Sequence, residues 1–432
     1  MKIIVAGAGI GGLKAAALLA AGGHEVTVYE KRRRDELTSD WYEDVEPKLF
    51  DDTDAKLPEG SYKAEDLTLV PPFSDDNIEI NMTEGTKKLR ISRKAFLEQL
   101  IADCEQAGVN FEFYTSVKKV IVKGTRIAGV IINKEKYYCD LVIDSSGVNS
   151  SIRRSLPDDY GITKEITEND YYSVFRGIFD YYPGCPVPKN KKKMFLKFMG
   201  QSAFARVICE PNDRVDIMVG KVGRMSRFEF ETMLRQLRIE NQVIGYEDLM
   251  PGKFAKLPVR YPLTKMVADG YAAVGNSAFM TVPMIGNGIA DAYRAGQLLA
   301  QAVLEGGNSS AKMLWKYQVS YYNKYGPEKF MVDMMRRTLF NSKPNDVRFL
   351  LQSGFFTKDE IKTAAQGKPL DISISFLFSK LGIGKSNFKF FTETYFALSK
   401  GKKAMDLAKQ IPNKYDPAKI AAWQSKIEKL YK

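Results

Sequence analysis

Residues 2–30 read KIIVAGAGIGGLKAAALLAAGGHEVTVYE, and this stretch decides the fold. KIIVA is a short apolar run suited to a buried parallel strand. Gly7, Gly9 and Gly12 follow at GxGxxG spacing, then an alanine-rich helix with Ala16, Leu19 and Gly23, then a second strand, EVTVYE, ending in Glu30. Each glycine has a separate reason in a βαβ opening. Gly7 permits the tight turn, Gly9 lets the backbone approach a pyrophosphate, and Gly12 lets helix and strand pack closely. The pyrophosphate sits on the helix N-terminus, where free amides and the dipole favour an anion. Glu30 stands where a ribose 2′-hydroxyl is bound, and its charge opposes a 2′-phosphate, which argues against NADP here. Arg32, Arg33 and Arg34 soften that argument unless they are only a solvated loop. His24 reads as a turn residue, and Lys14 breaks the apolar core that a cleaved signal would need.

The remaining composition narrows the chemistry. A chain of 432 residues, 44% hydrophobic and 27% charged, has the make-up of a globular protein with two or three domains. Cys104, Cys139, Cys185 and Cys209 stand far apart with no CxxC, against a disulfide framework or a zinc ribbon. One histidine leaves little for a metal site or a Ser-His-Asp triad, so no metal is expected and the chemistry is borrowed from a cofactor. No apolar run reaches the length of a spanning helix. The net charge is +12, and residues 379–432 hold two thirds of that excess, with twelve lysines against four acids. A basic end can meet nucleic acid, acidic protein or an anionic membrane face. No nucleic-acid-binding signature accompanies it, so nucleic acid is not expected. The few cysteines favour the cytoplasm, with a peripheral place at the inner membrane face open.

A dehydrogenase would continue βαβαβ without delay. Instead residues 35–85 are acidic and loop-rich, with Pro47, Pro58, Pro71 and Pro72. Regular structure returns at LRISRKAFLEQLIADCEQAGVNF, an amphipathic helix with Phe96, Leu97, Leu100, Ile101 and Cys104 at helical spacing. Arg93 at its start either reaches a phosphate or ribose or is an ordinary exposed arginine. Strands follow at VKKVIVKG, RIAGVIIN and KYYCDLVIDSSG, the last leading through Asp144 and Gly147 to Arg153. Far downstream, Tyr271–Val274 reads as a strand, Gly275-Asn276 as a turn, and a loop with Pro283, Gly286 and Gly288 opens a long small-residue helix to about Gly306.

In this order the residues resemble the FAD-dependent p-hydroxybenzoate hydroxylase superfamily, and within it the geranylgeranyl reductase branch. The resemblance rests on Gly7 to Glu30, on Arg93 with Phe96 and Leu100, on Gly147 to Arg153, and on Gly275 to Ile289, over about 300 residues. It implies an α/β fold: a Rossmann-like FAD-binding domain (GR2 type) interleaved with an antiparallel-sheet substrate domain, plus a helical C-terminal part. The expected division gives 1–50, 86–160 and 260–306 to FAD, 51–85 and 161–259 to the substrate sheet, and 307–432 to a helical, basic region. The FAD contacts it implies are Gly7, Ala8, Gly9, Gly11, Gly12, Glu30, Lys31, Arg93, Val117, Gly275, Asn276, Pro283, Gly286, Asn287, Gly288 and Ile289. Glu30 takes the adenosine ribose, Asn276 the ribitol, and the amides of Gly286, Gly288 and Ile289 the flavin N1–C2=O edge. A helix N-terminus there suits a reduced flavin, which is anionic at N1. No catalytic residue is assigned.

Three positions depart from the family pattern. Ser146 replaces the DG-type aspartate, which puts direct reduction by NADPH in doubt, and Asn276 replaces the GD-type aspartate. The aromatic YxWxFP segment becomes Phe204-Ala-Arg206-Val-Ile208-Cys-Glu-Pro211, followed by Gly220 and Gly223. Arg206, at the tryptophan position, either meets an acidic head group or is a surface arginine.

Residues 160–260 alternate aromatic and polar positions and read as a sheet with one buried face, a roof over the flavin. Lys189 to Lys197 reads as a solvated hairpin tip, or as a contact for an anionic surface. The C-terminal stretch interleaves Phe376, Phe378, Phe388, Phe390, Phe391, Tyr395 and Phe396 with lysines, either as a helical cap or as a segment lying at a membrane interface. Gly384-Lys385-Ser386 lacks the upstream glycine of a P-loop, Ser379 standing there. The reading favoured is a flavoenzyme that reduces carbon–carbon double bonds of an isoprenoid or other apolar lipid by hydride from flavin N5. The electron donor is open between NAD(P)H and a redox protein. The alternatives are a flavin monooxygenase of the same superfamily and a membrane-surface binding protein with structural FAD.

Overall fold

A computed structural model describes residues 1–74, 77–80, 88–371, 373, 380 and 388–432. The apolar run Lys2–Ala6 forms the centre of a six-stranded sheet, parallel to Leu141–Asp144 on one side and to Glu25–Tyr29 on the other. Asn110–Glu112 extends one edge and Tyr271–Ala273 with Val267–Ala268 the other; all contacts except that last hairpin are parallel. Ile3, Ile4 and Val5 are buried on both faces, as a central parallel strand requires. Helices Ile10–Ala21, Arg93–Gln106 and Ile289–Gly306 pack together beside this sheet, and the meander Val117–Lys123, Arg126–Ile132, Glu135–Tyr138 packs against Leu141–Asp144.

A second, seven-stranded sheet runs in the order 244–258, 171–181, 214–222, 203–210, 192–196, 67–70, 78–80. It is antiparallel except where Lys192–Leu196 lies parallel to Leu67–Val70. The alternation in the sequence predicts one buried face, whereas the structure buries residues on both. One is covered by helix Arg227–Glu240, whose Phe230, Met233 and Leu237 pack on Phe175, Val207 and Ile217. The other packs Tyr172, Val174 and Phe204 against Val259 and Phe340. A small sheet joins Tyr42–Val45, Leu89–Ser92 and Tyr62–Lys63.

The structure corrects several local expectations. LRIS is a strand, Leu89–Ser92, and the helix begins only at Arg93, where the Ser92 hydroxyl caps it by accepting from the Ala95 amide at 3.1 Å. KYYCDLVID is two strands in different sheets, because the chain turns at Cys139-Asp140. Helix Arg227–Glu240 interrupts the stretch that the alternation assigns to strands, and Ser226 and Glu229 form a capping box at its start. The lysine run is a solvated tip only in part: Lys189 and Lys191 are exposed, but Lys192 and Lys197 are buried, and Lys197 Nζ donates to the Phe340 carbonyl at 2.8 Å.

The C-terminal helices close over both sheets. Trp315 and Tyr317 of helix Ala311–Lys324 are buried in the main core, with the Tyr317 hydroxyl on the Ala273 carbonyl at 3.0 Å. Helix Pro417–Tyr431 adds Ile420, Trp423 and Ile427 to the same core. Helix Phe388–Ala408 packs on Glu328–Asn341 through Phe390 and Phe391, while Phe388 and Phe396 are each 63% exposed. Phe376, Phe378 and Gly384 to Ser386 lie outside the described residues. Among the described residues, no helix is long and apolar enough to cross a membrane.

Candidate cofactor and substrate site

The glycine turn, Glu30, Ser145 to Gly147 and Gly275-Asn276 follow the carboxyl ends of the four central parallel strands, where α/β sheets bind ligands. Gly7 has φ +94°, and a Cβ there would stand 2.6 Å from the Ser145 carbonyl oxygen. A Cβ on Gly12 would meet Ser145 Cβ at 2.5 Å, and the Gly12 amide donates to Ser145 Oγ at 3.2 Å. Gly11 and Gly296 bring the first turns of helices 10–21 and 289–306 together; a Cβ on Gly11 would lie 2.7 Å from the Ala292 carbonyl. Gly9 gives the first helix an N-terminus with no side-chain cap. The Glu30 carboxylate is turned back over this loop by the amides of Ala8, at 2.9 Å, and Arg32, at 3.0 Å. Lys31 beside it is exposed, and Val117 is buried at the start of the meander.

The opposite wall is built from residues 144–153 and 275–289. Asp144 is fully buried and accepts from the Ser146 hydroxyl at 2.6 Å, from Tyr271 at 3.0 Å and from Ser277 at 3.1 Å. It thus pins both turns, a role that the sequence signals only as an acid closing an apolar strand. Ser146 is spent on that carboxylate. Gly275 has φ +65°, and Asn276 is exposed next to it. Buried Pro283 begins a tight loop in which the Gly286 amide donates to the Val282 carbonyl at 2.8 Å and the Val282 amide to the Asn287 carbonyl at 2.7 Å. Asn287 Oδ1 accepts from the Ile289 amide at 3.2 Å, and its Nδ2 donates to the Asp44 carbonyl. Gly288 leads into helix 289–306 beneath the Met280 carbonyl, 2.6 Å from where a Cβ would be. Two helix N-termini to donate and one carboxylate to accept, at the carboxyl ends of one parallel sheet, could hold a dinucleotide. Arg93 is 42% exposed and pairs with Glu43 at 3.5 Å.

Residues 41–55 form a strap tied to both walls. Lys14 Nζ meets Asp54 at 2.5 Å, Arg294 meets Asp52 at 4.0 Å, and Tyr293 donates to Asp54 at 2.8 Å. The strap also carries Glu43 and Asp44 into a buried charge cluster under the seven-stranded sheet. Arg176 holds Asp216 through two bonds of 2.9 and 2.7 Å and Glu43 through a third of 2.9 Å. Arg90 bonds Asp44 at 2.9 Å, Asp216 at 3.2 Å and Glu210; Lys192 bonds Asp44. Arg206 pairs with Asp216 at 3.0 Å, so it is neither a surface residue nor a free cation for a head group. Burial alone would raise the Asp44 and Asp216 carboxyls, but Lys192 and Arg90 around the first, and Arg176 and Arg206 around the second, hold both well below the ordinary 3.8. Glu210 goes up instead, through its own burial and the nearby Asp216 charge.

Carboxyls depressed in the folded state stabilise it above their unfolded pKa and lose that contribution as pH falls. Asp44 and Asp216 therefore predict a thermal midpoint that declines once pH drops below about 4, with Glu210 offsetting part of the loss. A midpoint unchanged between pH 6 and pH 3, followed by circular dichroism, would contradict this.

Beyond the cluster, the same sheet face turns apolar. Leu67, Met194, Leu196 and Phe204 line a cavity of about 150 Å³ closed by Leu350 and Leu398 of the C-terminal helices. Met284 and Ile285, from the loop that leads to Gly286, also reach its wall. Nothing in the sequence pattern joins these segments, which come from five separate stretches of chain.

Comparison with known proteins agrees with this architecture. The family of NAD(P)-binding Rossmann-like domains matches residues 5–43. The chain is 20% identical over 441 residues to a digeranylgeranylglycerophospholipid reductase of Sulfolobus acidocaldarius, covering 99% of this chain and 96% of that one. A chloroplastic geranylgeranyl diphosphate reductase of Nicotiana tabacum is 22% identical, over 54% of this chain and 51% of its own. In fold, the chain is similar to a geranylgeranyl bacteriochlorophyll reductase-like protein from Thermoplasma acidophilum, with a TM-score of 0.72 at 18% identity, covering 92% of this chain and 98% of that one. The flavin-dependent brominase Bmp2 aligns with a TM-score of 0.61 at 14% identity, over 93% and 99% of the two chains.

Proposed function

From a chain that carries the fold of the FAD-dependent p-hydroxybenzoate hydroxylase superfamily, in its geranylgeranyl-reductase-like branch, we propose an FAD-dependent oxidoreductase that saturates carbon–carbon double bonds of an isoprenoid or other apolar lipid. FAD when bound supplies the hydride. The residues of this chain do the rest. The Gly7–Gly12 turn and the N-terminus of helix 10–21 take the pyrophosphate, and Glu30 takes the adenosine ribose. The Gly286 and Ile289 amides are taken by Val282 and by Asn287 Oδ1, so the amides of Asn287 and Gly288 are the ones that face the N1–C2=O edge, with helix 289–306 directing its positive end there. Leu67, Met194, Leu196 and Phe204 exclude water from the chain of the substrate.

The observation that carries the reading is the apolar cavity against the Met284-Ile285 segment, the side where the flavin ring would lie. The exposed Phe388 and Phe396, next to Lys389 and Lys400, support docking of this helix on an anionic lipid surface for substrate delivery.

The test uses the purified flavoprotein, reduced with dithionite under nitrogen and given a geranylgeranylated glycerophospholipid. Mass spectrometry is expected to show a gain of two hydrogens per reduced double bond. Turnover that needs oxygen and adds an oxygen atom would replace the reading with a monooxygenase. A reducible flavin with no turnover of either kind would leave a lipid-binding protein.

A further inference from the structure

The apolar cavity has few polar side chains in its wall. Among the described residues these are Tyr172, Thr338, Glu360 and Thr394. Two of them are engaged. Thr338 Oγ1 donates to the Met334 carbonyl at 2.9 Å, and the Glu360 carboxylate accepts from the Thr357 amide at 2.7 Å and from Lys380 Nζ at 2.9 Å. The hydroxyls of Tyr172 and Thr394 are buried without a hydrogen-bond partner among the described residues. Native structures leave few such groups, because their lost hydration goes uncompensated. An apolar-walled cavity does not hold water to satisfy them. What pairs with them must therefore arrive with the ligand or the reaction.

Acidity and position separate the two. A phenol is a far stronger acid than an aliphatic alcohol. Tyr172 lies on strand 171–181 in register with Leu257, and Leu257 is the nearest neighbour of Gly286: a Cβ there would be 3.3 Å from Leu257 Cδ1. The phenol thus stands one strand from the loop that we assign to the flavin ring. Burial pushes its pKa up, so the proton stays on at neutral pH. The Arg336 guanidinium, 5.9 Å from the ring centre and anchored to Asp333 at 2.8 Å, is beside it to stabilise a phenolate, without forming a hydrogen bond of good geometry.

Resting on the reductase reading, we propose that Tyr172 is the catalytic acid of the reduction. Its phenolic O–H breaks and the proton goes to the alkene carbon adjacent to the one that receives hydride. The π bond is consumed and two C–H bonds form. The electron pair comes with the hydride from reduced flavin, which is oxidised. The phenolate recovers its proton from solvent when the product leaves.

Tyr172→Phe tests this against wild type with three readouts: turnover of the geranylgeranylated lipid, calorimetric affinity for its fully saturated analogue, and thermal midpoint. Expected is a fall in kcat of about 100-fold or more, the range of general acid catalysis. Affinity and midpoint should hold or rise, because the hydroxyl that is removed has no partner to lose. A variant that turns over at the wild-type rate overturns the acid role and leaves the reductase reading intact. Loss of activity together with a lowered midpoint makes Tyr172 a scaffold residue and overturns it too. A wild-type protein that saturates no isoprenoid overturns both.

Discussion

Asp216→Ala is expected to destabilise the protein by about 3–5 kcal/mol, the range seen when one partner of a buried ion network is removed. Its carboxylate is fully buried and meets three guanidiniums, of Arg176, Arg206 and Arg90, at 2.7 to 3.2 Å. Deleting it leaves those cations with Glu43, Asp44 and Glu210, which already serve them or Lys192. Uncompensated charge out of reach of water dominates the cost, well beyond the lost hydrogen bonds. A typical domain has only about 5–15 kcal/mol in all, so the variant should accumulate poorly. Its urea midpoint should fall with the slope retained. A loss under about 1 kcal/mol, the range of an exposed pair, would mean that water reaches the cluster.

Gly7→Ala is the second large effect. At φ +94° an alanine is strained, at about 1–3 kcal/mol. Its Cβ would also stand 2.6 Å from the Ser145 carbonyl and 2.8 Å from Ser146 Cα, both backbone, so relief requires moving the neighbouring strand end, at about 1–3 kcal/mol more. That strand end is a wall of the crevice, so the variant should emerge from purification without flavin colour. Gly23→Ala is the control. Gly23 has φ +84° but nothing within 4 Å of a Cβ, so only the strain applies and the colour should remain. If both variants keep their flavin, the Gly7 turn does not shape the cofactor site.

The opening βαβ unit and the 271–306 segment are legible in the sequence because their determinants are local. Strand, glycines and terminal acid lie within 30 residues, and Gly286 and Gly288 sit in the loop that they shape. The charge cluster was not legible, for a physical reason. Arg176, Arg206 and Asp216 occupy alternate positions on their strands, the pattern of a solvent-facing side. Only the strap, bringing Glu43 and Asp44 from more than 130 residues away, turns that face inward. Lys192 deceives in the same way, because a lysine run gives no hint that one member meets a distant aspartate. The cavity is less legible still: Leu67, Leu196 and Leu398 meet through packing alone. The local signal for helix Arg227–Glu240 is the capping box of Ser226 and Glu229, set inside a stretch whose alternation favours strands.

The strand order of the six-stranded sheet sets a schedule for the newly made chain. Lys2–Ala6 leaves the ribosome ahead of the other strands of its sheet, yet its neighbour Leu141–Asp144 comes well over a hundred residues later, and Tyr271–Ala273, which completes that side, later again. At about 5–20 residues per second, the sheet waits roughly 13–50 s for its last parallel strand. The core needs still more, since Trp423 and Ile427, made well over a hundred residues after that strand, pack into it. Until Leu141–Asp144 emerges the apolar first strand is open on one edge, and from then until Tyr271–Ala273 arrives the open edge is that of Leu141–Asp144. Such a topology folds slowly and late, so yield in a recombinant host should be governed by chaperone supply and growth temperature before any property of the finished molecule.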